Sequence, residues 1–544
     1  MHRHILALLL LASTGTAALA QDTYSNFAMT NTSDIYGSAR YVGMGGAMGA
    51  LGADISAMSN NPAAIGLFTR NDVSLTMGGF WQAATPGASD SRGHFTFDQI
   101  GFVTCVDRSD NSGVNIGINL QKKADYNYSL CAQYNGLQGL SQAAQFAGLY
   151  GNCVCADYSL PVRVYDALLY DIGYSSDTNV GQRVNPQATD NDFWKCTSGK
   201  LYGLDFNISG HVRSRVFWGI TMGVDFLTYR HDAQYIEYRN GYNAAGQPST
   251  YDIQDYDLTS HKYVSGAGLN VKAGVIVRPV EESPFRIGVA VETPTWYTLT
   301  QRNSTFSIAS KWQYNGQVGG LYDYSYLPSG RYATYDSYDD NYLDFNVHAP
   351  WRFRVALGST VGTMLAWDVE YEYALYNHLT TGSPTSFGNN GSASLSMVSD
   401  RAMNALTSQT LRGIHNVRAG IEFKPTSEIG VRVGYNYYSA PMQDGARLDQ
   451  SINSDVMNYM VGTDYMNLGD TNIITCGLGY RGKTFYADLA YKYRLLHGDF
   501  YAFDDMYQRG GTSESQFLCT AAGLQATDVD LSRHAITFTL GVKF

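Results

Sequence analysis

The sequence has few prolines and few charged residues, and beyond its first twenty residues it lacks any long apolar run. Its 544 residues include 13 prolines, and 16% of them are charged. Because no stretch of about eighteen apolar residues follows residue 20, no membrane-spanning helix is predicted. The net charge of -11 disfavours nucleic-acid binding, which requires a basic surface. These absences leave two classes, a soluble protein and a β-barrel.

Sequence signatures of catalysis and of metal binding are also missing. The chain has no G-x-S-x-G nucleophile elbow, no H-E-x-x-H zinc motif, and no EF-hand spacing in the acidic stretch 336–340. Four of the seven cysteines fall in one predicted loop, where they are either paired in two disulfides or free. We therefore expect no catalytic residue, no metal ligand, no cofactor and no enzymatic activity. The four loop cysteines are Cys131, Cys153, Cys155 and Cys196.

Tyrosine is abundant, and the chain begins with a predicted secretion signal. The 42 tyrosines are typical of the aromatic girdles and outer loops of membrane barrels. Residues 1–20 combine a short basic start with an apolar run from Ile5 to Ala12 and a small-residue cleavage site that ends at Ala20. This pattern predicts a signal peptide. The mature chain is therefore expected in the outer membrane of a Gram-negative-type bacterium.

From residue 72 onward the sequence contains segments with a strict two-residue period. In the last segment, Ile536, Phe538 and Leu540 alternate with small or polar residues, so one face meets lipid and the other a lumen. The segment ends at Phe544, and a terminal aromatic residue of this kind resembles the signal that the barrel-assembly machinery recognises. That machinery and outer-membrane lipid are therefore expected partners of a chain that we expect to be a monomer.

The lengths of the connectors distinguish a barrel from a soluble sheet. Short connectors alternate with long ones, as expected for periplasmic turns and extracellular loops. We therefore predict an all-β fold, a transmembrane antiparallel β-barrel of about 14 strands over residues 72–544. The predicted strands are 72–80, 94–104, 113–122, 201–209, 215–229, 263–277, 285–299, 343–357, 364–376, 415–424, 430–438, 472–480, 484–495 and 534–544. The predicted long loops are 123–200, 230–262, 300–342, 377–414, 439–471 and 496–533.

A Gly- and Ala-rich segment precedes the barrel. Arg40 and Asp54 are the only charged residues in the stretch 36–68, and small residues suit close backbone packing in a confined space. Residues 21–71 are therefore predicted to plug the barrel as a hatch. The hatch motif consists of Gly45, Gly46, Asn60, Asn61, Pro62 and Ala63.

This segment resembles the N-terminal hatch of the FadL-type family of outer-membrane transporters. In that family an Asn-Pro-Ala motif follows a Gly/Ala-rich run and precedes the barrel, as Asn61-Pro62-Ala63 does here. The resemblance implies a fourteen-stranded plugged barrel that takes up hydrophobic small molecules such as fatty acids or aromatic compounds. It also implies an interior ligand pocket under the hatch and a lateral exit at a kinked third strand.

Strand phase points many charged residues into the lumen. Most are expected to pair across neighbouring strands, Arg354 with Asp368 or Glu370 and Arg432 with Glu422. One or two of the cations are candidates for holding the carboxylate of an amphiphilic ligand. The candidate cations are Arg286, Arg354, Arg418, Arg432 and Lys492.

Residues in the predicted loops are candidates for ligand capture. Leu168 and Leu169 fall at helical spacing, where short amphipathic helices either pack on each other or shape an apolar groove. Aromatic residues in two later loops suit aromatic or amphipathic ligands. The alternative to transport is a structural or adhesive surface barrel whose Tyr-rich loops bind a partner protein or a glycan. The aromatic candidates are Tyr235, Tyr238, Trp312 and Tyr322.

Overall fold

The computed structural model of the chain consists mainly of β-strands. It describes residues 23–82, 93–108, 112–135, 137, 142, 188–239, 251–280, 282–314, 317–318, 322–326, 342–384, 397–448, 462–503 and 524–544. None of the helices in these ranges is long and apolar enough to cross a membrane.

The described elements comprise 22 strand segments, three α-helices and three short 3-10 helices. The strands are β1 (Asp72–Gln82), β2 (Gly93–Arg108), β3 (Ser112–Asp125), β4 (Tyr128–Asn135), β5 (Ala188–Val212), β6 (Val216–Arg239), β7 (Tyr251–Val277), β8 (Arg286–Glu292), β9 (Trp296–Tyr314), β10 (Gln317–Val318), β11 (Tyr322–Tyr326), β12 (Tyr342–His348), β13 (Arg352–Val361), β14 (Leu365–Ala374), β15 (Thr380–Pro384), β16 (Met397–Ser399), β17 (Ile414–Phe423), β18 (Ile429–Tyr438), β19 (Tyr465–Arg481), β20 (Phe485–Tyr501), β21 (Thr527–Asp530) and β22 (Arg533–Lys543). The helices are α1 (Thr23–Thr30), α2 (Ala39–Gly43), α3 (Arg401–Thr410) and the 3-10 helices Ile55–Ser59, Pro62–Leu67 and Tyr376–His378.

These strand segments form a closed antiparallel barrel with 14 strand positions. Consecutive segments share a position where both pair with the same neighbour, as β3 and β4 do along β5 and as β8 and β9 do along β7. The barrel closes where β1 pairs with β22, from Asp72 opposite Lys543 to Gln82 opposite Arg533. The predicted barrel of about 14 strands is therefore confirmed.

Short turns lie at the rim that also holds the two ends of the barrel. Asn71 and Phe544 exchange backbone hydrogen bonds there. Between β5 and β6, Arg213 and Ser214 both have positive φ, of 51° and 49°. Positive φ at both central residues is the geometry of the tight hairpin turn whose twist matches the flanking strands. The predicted asymmetry between short turns and long connections therefore holds in the structure.

The outer surface of the barrel is apolar, and its inner surface is polar. In β22, Ile536, Phe538 and Leu540 are 44%, 44% and 52% exposed, whereas Thr537 and Thr539 are buried. An apolar band of this kind would be unstable in water and suits contact with lipid chains. The alternation that defined the strands in the sequence therefore separates a lipid face from a lumen face.

Several strands continue far beyond the predicted boundaries. β6 has 24 residues and β7 has 27, whereas about nine to eleven residues cross a bilayer. The described parts of the predicted loops 123–200, 230–262 and 300–342 are largely strand, so the predicted strand boundaries there are wrong. The lipid-facing pattern ends where the strands leave the membrane, although the ladder of backbone hydrogen bonds continues.

The assignment of four cysteines to one loop is wrong for two of them. Cys131 lies in β4 and Cys196 in β5, and the Cys131 thiol is free. Cys153 and Cys155 lie outside the described residues, as do the predicted signal peptide 1–20 and the capture candidates Leu168 and Leu169.

Replacing Phe544 with aspartate is expected to reduce the yield of folded barrel and to leave the stability of the folded fraction unchanged. The Phe544 side chain is 63% exposed, so it adds little buried area, while its backbone helps to close the barrel. The yield is measured as heat-modifiable protein, and the stability by urea unfolding. A variant that assembles at the wild-type level would contradict a role for Phe544 in assembly, and Lys483→Asp in a periplasmic turn is the control.

Candidate functional site

The N-terminal segment fills the lumen of the barrel. Phe27, Met44, Ala50 and Met58 are each at most 1% exposed. The segment contacts the wall on several sides, because Ala39 N donates to Thr539 on β22 and Asn115 on β3 donates to the carbonyl oxygen of Ile65. The predicted hatch is therefore inside the barrel.

The Asn-Pro-Ala motif builds a capped turn at the centre of the hatch. The Asn61 side chain accepts a hydrogen bond from Ala63 N at 3.1 Å and donates to the Gly49 carbonyl at 2.8 Å. Pro62 is the first residue of the 3-10 helix, where a backbone N–H has no partner within the helix, so the missing N–H of proline costs no hydrogen bond. The Asn60 side chain donates to the Gly46 carbonyl at 3.2 Å. The motif therefore ties the two halves of the hatch together.

Strand β14 and its neighbours hold the middle of the hatch. Asp368 accepts hydrogen bonds from Ala50 N at 3.0 Å and Leu51 N at 2.8 Å. In the other direction, Arg286 donates to the Leu51 carbonyl at 2.7 Å and Arg354 to that of Asn60 at 3.3 Å. Charged side chains of the lumen thus satisfy hatch backbone groups that lie outside regular structure, as buried backbone requires.

Glycine lies on the wall where the hatch backbone comes closest. A Cβ atom added to Gly434 on β18 would lie 2.1 Å from the backbone nitrogen of Gly45. Gly45 itself has a φ of +65°, a conformation that disfavours other residues. A Cβ atom at Gly274 on β7 would likewise lie 2.1 Å from the Asn61 amide oxygen. The hatch motif and the wall are therefore fitted to each other.

The cations predicted to line the lumen are engaged by protein groups. Arg432 pairs with Glu422 at 2.7 Å, as predicted, and with Asp488 at 2.7 Å. Arg418 pairs with Glu370 and Glu372, and Lys492 pairs with Asp34 of the hatch at 2.6 Å.

The predicted partner of Arg354 is wrong. Arg354 pairs with Glu292 and Glu372, each at 2.7 Å. Glu372 lies directly opposite it on β14, whereas Asp368 lies opposite Gly358. Residues directly opposite each other are the ones that interact across strands, so register decided the pairing.

A cavity of about 170 Å³ lies between α1 and the barrel wall, on the side of the hatch that faces away from the rim with the chain ends. Its lining combines seven aromatic side chains with seven charged ones. The aromatic lining residues are Tyr24, Phe27, Tyr36, Tyr126, Tyr128, Tyr229 and Tyr465, and the charged ones are Asp34, Asp125, Lys195, His231, Asp464, Arg494 and Arg533.

A second, polar chamber of about 80 Å³ lies closer to the rim that holds Asn71 and Phe544. On β6, Asp225 lines this chamber, whereas Tyr229, further from the rim, lines the cavity above it. Tyr36 borders both spaces, and its ring is held between the ammonium groups of Lys122 at 4.4 Å and Lys492 at 4.2 Å. The path along the barrel axis therefore leads from an aromatic space into a strongly charged one.

Beside the cavity the third strand position is broken. β3 ends at Asp125 and β4 begins at Tyr128 on the same partner strand. In the part of the chain that the structure describes, β2 pairs with β3 from Gln99 to Arg108 and with β1 from Gly93 to Val103. The ladder between β2 and β3 therefore ends at Gln99, and the boundary between the stretch Gly93–Asp98 and β3 is called the seam below.

Side chains cover this seam. Lys122 pairs with Asp98 at 2.7 Å across it. On the outer side, Tyr202 of β5 donates a hydrogen bond to the Phe97 carbonyl at 2.8 Å, and the two rings lie 6.3 Å apart. Side chains, and not a strand ladder, therefore connect the stretch Gly93–Asp98 of β2 to the neighbouring wall.

The predicted capture residues are placed differently from expectation. Tyr235 and Tyr238 lie in β6 and not in a loop, because the strand continues past residue 229. Tyr235 is 1% exposed and donates to Glu237 at 2.8 Å, and Tyr238 donates to Asp192 at 2.9 Å. Trp312 lies in β9 and Tyr322 in β11, and their side chains are outside the described part of the structure.

Sequence reasoning missed most of the cavity. Arg494 could have been found, because it lies two residues from Lys492 on the same face of β20. Helix α1 was not predicted, although Tyr24, Phe27 and Ala28 have the i, i+3, i+4 spacing of one helix face and all three line the cavity. Among the described residues, no group of three or more His, Cys, Asp or Glu side chains is arranged to hold a metal ion.

Cysteines placed at Ala50 and Ala57 are expected to react slowly with bulky thiol reagents in the intact barrel. Both alanines are 0% exposed between the hatch and the wall. Labelling is followed by the mass shift of the protein before and after unfolding in urea, in a background where the natural cysteines are replaced. Rapid labelling of both sites in the folded protein would contradict the plugged state, and a cysteine at the exposed Ser408 is the reactive control.

The closed barrel, its apolar outer face and the internal hatch define this chain as a plugged transmembrane β-barrel. No protein family profile and no curated protein matches the sequence. The solved structures to which it is similar include a FadL homologue of Pseudomonas aeruginosa, with 12% identity, 94% of this chain and 98% of that chain covered, and a TM-score of 0.46. They also include two toluene transporters, TbuX of Ralstonia pickettii (13% identity, coverage 94% and 98%, TM-score 0.44) and TodX of Pseudomonas putida (11% identity, coverage 94% and 99%, TM-score 0.46).

Proposed function

We propose that this chain is an outer-membrane protein that takes up hydrophobic small molecules through its plugged barrel. The observation that carries the proposal is the position of the aromatic cavity, which lies above a charged chamber and beside the seam where the ladder between β2 and β3 ends. An apolar ligand gains from entering the cavity, because burial of apolar surface is favourable. The same ligand would lose by entering the chamber below, because it would take solvent away from the charged side chains that line it.

The proposed route therefore turns sideways. A ligand enters from the extracellular side, binds against α1, and leaves through the seam between β2 and β3 when Tyr202 and Phe97 move apart. Water-soluble molecules are excluded, because the hatch is bonded to the wall on several sides. No energy source or cofactor is needed for passage down a concentration gradient.

The lumen cations then have a structural role in this proposal. Arg286 and Arg354 hold the hatch backbone, and Arg418 and Arg432 are neutralised by acidic neighbours. A ligand carboxylate at these sites would have to displace those partners. The ligand is therefore expected in the cavity above them.

Filling the cavity tests the proposal. Ala28 lines the cavity on α1, and a tryptophan there would occupy much of its volume. Ala28→Trp should lower the uptake of 1-N-phenylnaphthylamine, a hydrophobic probe that fluoresces in apolar surroundings, severalfold in cells with an intact outer membrane. Ala267→Trp, on the exposed outer face of β7, is the matched control. If folded Ala28→Trp takes up the probe at the wild-type rate, the cavity is not on the route.

A further inference from the structure

Two arginines face each other at the base of the cavity. Arg494 of β20 and Arg533 of β22 are directly opposite in the strand register, and both line the cavity. Like charges directly opposite each other destabilise a sheet unless a counter-charge lies between them. Arg533 is 6% exposed, so solvent does little to screen the pair.

The protein supplies only part of that counter-charge. Asp34 of the hatch places Oδ1 2.6 Å from Lys492 Nζ, while its Oδ2 is 4.0 Å from the nearest nitrogen of Arg494. The buried Asp34 Oδ2 and Arg494 Nε each have no hydrogen-bond partner in the described structure. Asp34 therefore forms its short ion pair with Lys492 and only a long one with Arg494, and Arg494 keeps an unused donor, its Nε, at the cavity.

Arg533 is bonded to backbone carbonyl groups. Its guanidinium donates to the Asp125 carbonyl at 3.3 Å and to the Asn127 carbonyl at 2.7 Å, and it stacks on the Phe80 ring at 4.3 Å. Asp125 is the last residue of β3, and Asn127 directly precedes β4. Arg533 therefore stabilises the backbone between β3 and β4, next to the seam.

We propose that Arg494 and Arg533 form an anion-binding site whose ligand is a compact aromatic carboxylate. This proposal rests on the proposed function and names the chemical class of its ligand. A carboxylate is the planar anion that an arginine binds with two parallel hydrogen bonds. The cavity holds about 170 Å³, and an apolar cavity of about 150 Å³ is known to hold a benzene ring. Aromatic lining residues such as Tyr24, Phe27 and Tyr465 suit a ring better than a long alkyl chain.

The site also couples binding to the wall. The carbonyl oxygens of Asp125 and Asn127 use two of the five N–H donors of Arg533, so a carboxylate can bind the remaining donors. A carboxylate that draws the guanidinium toward the cavity would lengthen its two bonds to the break between β3 and β4. Ligand binding and loosening of the third strand position are therefore linked through one side chain.

Titration calorimetry with phenylacetate and its neutral isostere phenylacetamide tests the site in the purified full-length barrel. Because a hydrogen bond to a charged group is lost, Arg494→Gln and Arg533→Gln should each weaken phenylacetate binding about tenfold to hundredfold. Binding of phenylacetamide should change by less than about twofold, since its amide does not need the charge. Arg494→Lys, which keeps the charge, should lose less than Arg494→Gln, and Arg230→Gln, at an exposed arginine, should lose nothing.

Equal weakening of both ligands, or no weakening of phenylacetate, would overturn the anion site. A wild-type barrel that takes up the hydrophobic probe but does not bind phenylacetate would overturn this inference and leave the proposed function standing. A barrel that takes up no hydrophobic probe would instead overturn the proposed function.

Hydrogen exchange tests the coupling separately. Phenylacetate should speed the exchange of backbone amides in the stretch 124–130 of the wild-type barrel, and Arg533→Gln should show the faster exchange without ligand. If phenylacetate binds and exchange in this stretch is unchanged or slower, the coupling through Arg533 is wrong.

Discussion

Replacing Gly434 with alanine is expected to open the barrel to small hydrophilic molecules. The added Cβ would lie 2.1 Å from Gly45 N and 2.4 Å from the Met44 carbonyl carbon, and both neighbours are backbone atoms that cannot rotate away. Overpacking of this kind costs about 1–3 kcal/mol, which raises the population of the undocked hatch about fivefold to hundredfold. The rest of β18 stays paired, because the change affects only the lumen face.

The efflux of a small hydrophilic dye from liposomes that contain the purified barrel measures this effect. Gly430→Ala is a matched control on the same strand and face, since the nearest atom to its added Cβ is 3.4 Å away in a flexible arginine side chain. It should behave as wild type. If Gly434→Ala folds and retains the dye as wild type does, the close contact between hatch and wall does not seal the barrel.

Replacing Glu372 with alanine is expected to destabilise the whole barrel by about 3–5 kcal/mol. Its carboxylate accepts hydrogen bonds from Arg352 at 3.1 Å, Arg354 at 2.7 Å and Arg418 at 2.8 Å. Removing it leaves three guanidinium groups in the lumen without a shared counter-charge. Uncompensated buried charge of this kind is among the most costly changes in a folded protein.

Urea unfolding of the barrel in lipid vesicles measures the change in the free energy of unfolding. Glu282→Ala removes an exposed carboxylate in a periplasmic turn and should change the free energy by less than about 0.5 kcal/mol. A loss below about 1 kcal/mol for Glu372→Ala would show that the remaining carboxylates Glu292 and Glu370, with solvation by water, are sufficient for these arginines.

The barrel and the hatch were predictable because each depends on a local pattern. Alternating residues such as Ile536, Thr537 and Phe538 define a strand whose faces differ, whatever its neighbours are. The hatch depends on composition, since a run of small residues before the first strand suits a confined space. The strand ends were not predictable from the sequence. Around Tyr235, near the end of β6, apolar and polar residues no longer alternate as they do where one face contacts lipid and the other faces the lumen.

The cavity was not predictable for a different reason. The cavity lies between α1, the broken third strand position and the strands β19 to β22. These segments are far apart in the sequence, and no local sequence pattern indicates that they are in contact. Arg354 illustrates the same limit, because its partner depends on register, and a shift of two residues would exchange Glu372 for Glu370 or Ala374. The alternation of residues along each strand predicts which side chains face the lumen. It does not predict which of those side chains contact each other, because that depends on the register between strands.

We propose that this barrel passes hydrophobic molecules and excludes hydrophilic ones. Two rates measured in the same cells test this selectivity. The first is the uptake rate of 1-N-phenylnaphthylamine, and the second is the rate at which a periplasmic β-lactamase hydrolyses nitrocefin, which reports the entry of a hydrophilic molecule. Compared with cells that lack the barrel, cells with the wild-type chain should take up the hydrophobic probe severalfold faster, with no change in nitrocefin hydrolysis. Equal acceleration of both would identify an open pore. No acceleration of either would contradict transport and favour a structural or adhesive surface barrel.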